Sequence, residues 1–95
     1  MKILGHEYTL ISAPNDQLGA YGRHLVREQI LQVADDLHQQ QMVTTVLHEI
    51  IEALNYHLGL DLDHSVIMAL EAGLYQSLTD NEVDLSPLIA ELQDG

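Results

Sequence analysis

The sequence predicts an α+β fold: a small antiparallel sheet of about three strands on a long helix, a second helix beside it and a short helix at the end. Three observations carry this prediction. The chain has 95 residues, one domain's worth, so 1–95 reads as a single unit. Apolar residues make up 46% of it but aromatics only 4%, all of them Tyr, and a core of Leu, Ile, Val and Met favours helices over a β-sandwich. Strand-like runs also come first and helix-periodic runs follow.

The run Ile3 to Ser12 mixes β-branched and aromatic residues with polar ones and stops before Pro14, as a strand would. Residues 13–20, with Pro14, Asn15, Asp16 and Gly19, read as a loop. A hairpin follows, with strands near 21–27 and 30–34 around Arg27-Glu28-Gln29.

Asp36 is a suitable N-cap, and Gln39 three residues on completes a capping box. The apolar stripe Val43, Val46, Leu47, Ile50, Ile51, Leu54, Leu58 then gives a helix over 37–58, with Gly59 as its C′ residue. Asp63 can cap a second helix carrying Ile67, Leu70, Leu74 and Leu78, which stops near Thr79-Asp80-Asn81. Ser86-Pro87 opens the short third helix, Pro87 fitting the first helical position.

Fifteen acids against three bases give a net charge of -12 and a pI near 4.4. That balance argues against binding nucleic-acid phosphates or an anionic membrane surface. Lys2, Arg23 and Arg27 are the only bases, so residues 28–95 hold thirteen acids and no Lys or Arg. Only histidine, water or a bound cation can balance them, and a divalent cation selective for the native state would offset part of the self-repulsion. There are no cysteines, hence no disulfide framework and no thiolate metal site. The absence of an apolar leader or an apolar span leads to the expectation of a cytoplasmic protein without membrane association.

The long helix contains His48-Glu49-Ile50-Ile51-Glu52. His48 and Glu52 are four apart, about 40° in azimuth, and can hold one metal between them. Given six His and seven Glu, a chance His-Glu-x-x-Glu is expected roughly 0.03 times. The competing explanation is a solvated polar face. Both residues flank the apolar stripe, whereas His57 falls within it and reads as a core or interface histidine. On the second helix, His64, Glu71 and Tyr75 share one stripe. If the helices pack antiparallel, the third ligand is Glu71 in a His/Glu/Glu site or His64 in a His/Glu/His site, and Tyr75 can donate to a developing oxyanion. Both ligand sets stay open at this stage, beside an exposed Glu71 and a His64 in the helix's first turn.

Thr45 to Leu54 resembles the active-site helix of zincin metallopeptidases, whose pattern is His-Glu-x-x-His. More narrowly, LHEIIEALNYHLGL followed by ALEAGLYQSLTDN is similar to short zincin-like proteins of phages and prophages, over about residues 30–81. The resemblance implies that His48 is the first zinc ligand, that Glu49 is the general base, and that Glu52 stands where the second His would be. A carboxylate there makes a bound water less acidic and favours harder cations such as manganese or iron. Glu71, nineteen residues after Glu52, resembles the third ligand of gluzincins.

The leading expectation is therefore a minimal zincin-like metalloprotein, a metal-dependent peptidase that aligns a peptide on an edge strand. Its rival is a non-catalytic phage or prophage accessory protein without metal, using the scaffold as an acidic module for a protein partner. A homodimer built on His57 and the second helix is the third alternative.

Overall fold

A computed structural model describes residues 1–14 and 21–94, of Asp94 the backbone only. Most of the loop expected over 13–20 lies outside the described residues. The elements are β1 (Lys2–Ile3), β2 (His6–Glu7), β3 (Thr9–Ala13), β4 (Gly22–Leu25), β5 (Ile30–Ala34), α1 (Gln39–Leu58), α2 (His64–Asp80), a 3-10 turn (Ser86–Ile89) and β6 (Gln93–Asp94). The architecture is α+β, as the sequence predicts.

The run expected as one strand is broken at Leu4-Gly5. Both residues have positive φ, 52° and 81°, and turn the chain into a tight hairpin that pairs Lys2 with Glu7 and Ile3 with His6. The expected second hairpin is present, β4 running antiparallel to β5. The expectation of an all-antiparallel sheet is corrected: the order is β4-β5-β3-β6, with β3 parallel to both β5 and β6. The cause is burial. β5 is the most apolar strand, with Leu31, Val33 and Ala34 fully buried, so it takes a central place between β3 and β4. The polar strand Gly22-Arg23-His24-Leu25 is left at the edge.

Helix α1 lies on the sheet. Val46 and Ala53, both fully buried, join Leu10, Leu31 and Val33 in the main core, with Ile3 and Tyr8 completing it. The helix starts two residues later than expected. His38 is the N-cap, and Gln41 Oε1 accepts from its backbone N–H at 3.2 Å, the same box spacing shifted by two. Leu37 packs on the core with Met42, which fixes where the chain enters the helix. At the other end Gly59 sits left-handed at φ 62°, and Leu60 N–H closes on the Asn55 carbonyl at 3.2 Å.

Helix α2 rests on α1 through Ile67, which packs with Leu47 and Ile51, while Tyr75 closes the cluster. The expected apolar face is corrected here. Ile67 is buried, but Leu70 and Leu74 are 42% and 43% exposed, because the helix turns its Ile67-Glu71-Tyr75 edge toward α1. Among the described residues no helix is long and apolar enough to cross a membrane.

Gly22 decides how closely β4 meets α1. A Cβ there would stand 2.6 Å from Thr45 Cγ2 and 3.1 Å from both the Gln32 carbonyl oxygen and Glu49 Oε2. Gly22→Ala is expected to cost about 1–3 kcal/mol through overpacking, read as a lowered urea midpoint, and Thr45→Ser in the same chain should recover part of it. An unchanged midpoint would mean that β4 and α1 have slack between them.

Candidate metal centre

His48, Glu49 and Glu52 come from the middle of α1, where burial of Val46, Leu47 and Ile51 fixes the rotation of the helix. That rotation sends His48 and Glu52 toward the start of α2. The residues that converge are His48, Glu52 and His64, each offering one ligand atom within 4.8 Å of the others, a His/Glu/His group that could hold a metal ion. His48 Nε2 lies 3.9 Å from Glu52 Oε1, and the rings of His48 and His64 meet edge to face at 5.6 Å.

Glu71 takes a different part from the one its spacing suggests. Its Oε1 accepts from His48 Nδ1–H at 2.8 Å, and Glu71 is not in the group of converging ligand atoms. The bond holds His48 in the Nδ1–H tautomer and leaves Nε2 as the nitrogen free to bind a cation. Of the two sets left open by the sequence, the geometry assembles the one with His64. Tyr75 is also displaced from its expected place. It lines a separate groove with Gln39, Val43 and Thr79, and it is not among the residues lining the two grooves around His48.

Glu49, the next residue along α1, turns toward Gly22 and is 6% exposed. Burial pushes its carboxyl up to about 7, opposed by His48 and reinforced by Glu52 and Glu71. Two grooves meet here, both lined by Gly22, His48, Glu49 and His64. One continues past Tyr21, Thr44, Thr45 and Met68. The other continues past Arg23, His24, Asn55 and Tyr56. The edge strand β4 therefore runs along the cleft that holds the candidate ligands.

Sequence spacing did not reveal Gly22, Arg23 or His24 as members of this cleft, because no local pattern links β4 to α1. Nor did it reveal the bonds of Tyr8 Oη to His24 Nε2 at 2.8 Å and to His57 Nε2 at 2.7 Å, which span 16 and 49 residues of chain. His57 is thus partly buried and hydrogen-bonded, as a core histidine would be. No family model, curated protein or solved structure matches the chain.

A carboxyl with a native pKa above its ordinary 4.5 binds its proton more tightly when folded. The stability this contributes is complete below about 4.5 and is lost as pH rises through about 7. With a chelator present, the protein should weaken between pH 5 and 8 by roughly 2–3 kcal/mol on this account, and Glu49→Gln should flatten that part of the profile. Chemical denaturation at stepped pH measures it. Identical profiles for both proteins would mean that Glu49 is not buried as described.

Proposed function

We propose that this chain is a minimal zincin-like metalloprotein whose activity is metal-dependent hydrolysis of a peptide bond. The observation that carries this reading is the convergence of His48, Glu52 and His64 beside the buried carboxyl of Glu49 in one open cleft. Two imidazoles and one carboxylate suit zinc and leave a coordination position for water or substrate. The carboxylate keeps manganese and iron as the harder alternatives. The set has the same composition as the His, His, Glu of gluzincins with two places exchanged: the carboxylate stands on α1 at Glu52 and the imidazole on α2 at His64.

A divalent cation held there supplies Lewis acidity to a carbonyl and makes a nearby water a better nucleophile at neutral pH. The chain's own residues do the rest. Glu49, buried in the same cleft, is placed to take a proton from the attacking water and to return it to the leaving amine. Glu71 positions the His48 ring through Nδ1. Strand β4, at the edge of its sheet, offers main-chain groups along which an extended peptide can add as a further strand. The proposed setting is the cytoplasm, on a phage or prophage resemblance that rests on the sequence alone.

A second reading has one observation in its favour. The outward face of α2 exposes Val66, Leu70 and Leu74, and Glu71 is the only Asp, Glu, Lys or Arg between Ser65 and Thr79. Such a face suits a protein partner, the accessory module without catalysis, or a second copy of the chain.

Zinc should raise the melting temperature of wild type by about 10 °C or more at a hundredfold excess over Kd, and leave His48→Ala unmoved. Glu52→His should bind zinc more tightly than wild type, with a smaller gain for magnesium, because a neutral imidazole replaces one of several crowded carboxylates. Equal thermal shifts in wild type and His48→Ala would remove the metal centre and leave the accessory reading. Zinc binding without hydrolysis of any peptide would remove the peptidase activity alone.

A further inference from the structure

A second cluster of titratable groups borders the same cleft. Tyr8, 2% exposed, places its hydroxyl 2.8 Å from His24 Nε2 on β4 and 2.7 Å from His57 Nε2 in the last turn of α1. His6 on β2 stacks flat on His57, centroids 4.1 Å apart and planes 8° from parallel. Tyr56 stands edge-on to both His24 and His57. His24 lines the groove that also contains His48, Glu49 and Glu52.

A phenol has one hydrogen and two lone pairs, whereas each Nε2 either donates or accepts. Tyr8 must therefore donate to one imidazole and accept from the other. The accepting ring has to be neutral, while the donating ring can be neutral or cationic without breaking either bond. Were both rings cationic, the Tyr8 hydrogen would face two N–H donors in a buried place with no acceptor. The environment decides which ring carries the charge. Burial lowers the basicity of His24 and the positive field of His57 lowers it further, with Glu52 opposing. Burial also raises the pKa of Tyr8, keeping the phenol neutral. The groups facing the pair are His6 from β2 and Glu52 and Tyr56 from α1, and Arg23 is the neighbour of His24 along β4.

We infer that Tyr8, His24 and His57 form a store for one proton at the wall of the cleft, charged and discharged through His24 Nδ1. Only the use of that proton rests on the hydrolytic reading; the store itself rests on the hydrogen-bond geometry. In the charged state His57 is the cation and donates to Tyr8, which donates to the neutral His24. On discharge the His57 Nε2–H bond breaks as its proton moves to Tyr8 Oη. The Tyr8 O–H bond breaks as that proton moves to His24 Nε2, each electron pair staying on the atom the proton leaves. His24, now cationic, gives its Nδ1 proton to an acceptor in the groove, such as the amine leaving a cleaved amide. His57 and His24 end neutral with the chain of bonds reversed. A proton taken at His24 Nδ1 from water, the electron pair of the broken O–H bond staying on the hydroxide that leaves, runs the sequence back.

The test is a two-dimensional 15N imidazole titration of the metal-free protein from pH 8 to 5, set beside Tyr8→Phe. Wild type is expected to show His57 with both nitrogens protonated while His24 keeps a bare Nε2, the second protonation suppressed at least about tenfold, one pH unit. In Tyr8→Phe the suppression should vanish and His24 should titrate closer to its ordinary value. Concerted protonation of His24 and His57 in wild type, or the same curves in both proteins, overturns the store. If Tyr8→Phe does not fold, the wild-type tautomers decide: a bare His24 Nε2 opposite a protonated His57 Nε2 supports the store, and hydrogen on both overturns it. The sample is chelated, and zinc binding is read separately by melting, so the store and the metal centre can fail independently.

Discussion

One imidazole with three carboxylates around it governs this molecule. His48 has Glu71 at 2.8 Å on Nδ1 and Glu52 at 3.9 Å from Nε2, and its field acts on the buried Glu49. Residues 28–95 contain no Lys or Arg, so the acids have histidine and cations as counterions within that stretch. Each of the three carboxyls is accommodated in a different way. Glu71 shares a hydrogen with His48, Glu49 holds its proton up to about 7, and Glu52, one third exposed, keeps contact with water. A cation at Nε2 of His48 would act on all three together, which ties the metal reading to the stability of the chain.

The same imidazole fixes the relation of the two helices. Ile67 packs on Leu47 and Ile51 while Glu71, one turn further along α2, reaches His48, so apolar packing and the polar bond share one edge of α2. That choice exposes Leu70 and Leu74 and carries His64 to the mouth of the cleft. Against α1 the sheet presents its one small residue on β4. Gly22 admits Thr45 and Glu49 to close range, and without that approach the edge strand would stand away from the candidate centre. Tyr8 ties β4 to the C-terminal turn of α1 through His24 and His57.

What the sequence discloses and what it hides divide along the range of the interactions. Helix α1 and its left-handed Gly59 follow from periodicity and a local cap, though Leu37 moves the start by two residues because it is needed in the core. The pair His48 and Glu52 is legible because one helical turn joins them. The place of β5 between β3 and β4 is not, since it depends on which strand most needs two neighbours, a comparison across the whole sheet. The buried edge of α2 was hidden for a related reason. Hydropathy favours Leu70 and Leu74, but a hydrogen bond to a residue 23 positions away selects Glu71. The Tyr8 network, spanning 49 residues, leaves no periodic trace at all.

Zinc-edge X-ray absorption on stoichiometrically loaded protein tests the metal centre most directly, since it reports the donor atoms themselves. The His48, Glu52 and His64 geometry calls for a low-coordinate shell with two imidazoles and a carboxylate oxygen, losing one imidazole in His64→Ala and keeping both in Glu71→Gln. A shell of oxygens alone, or one that His64→Ala leaves unchanged, would contradict it.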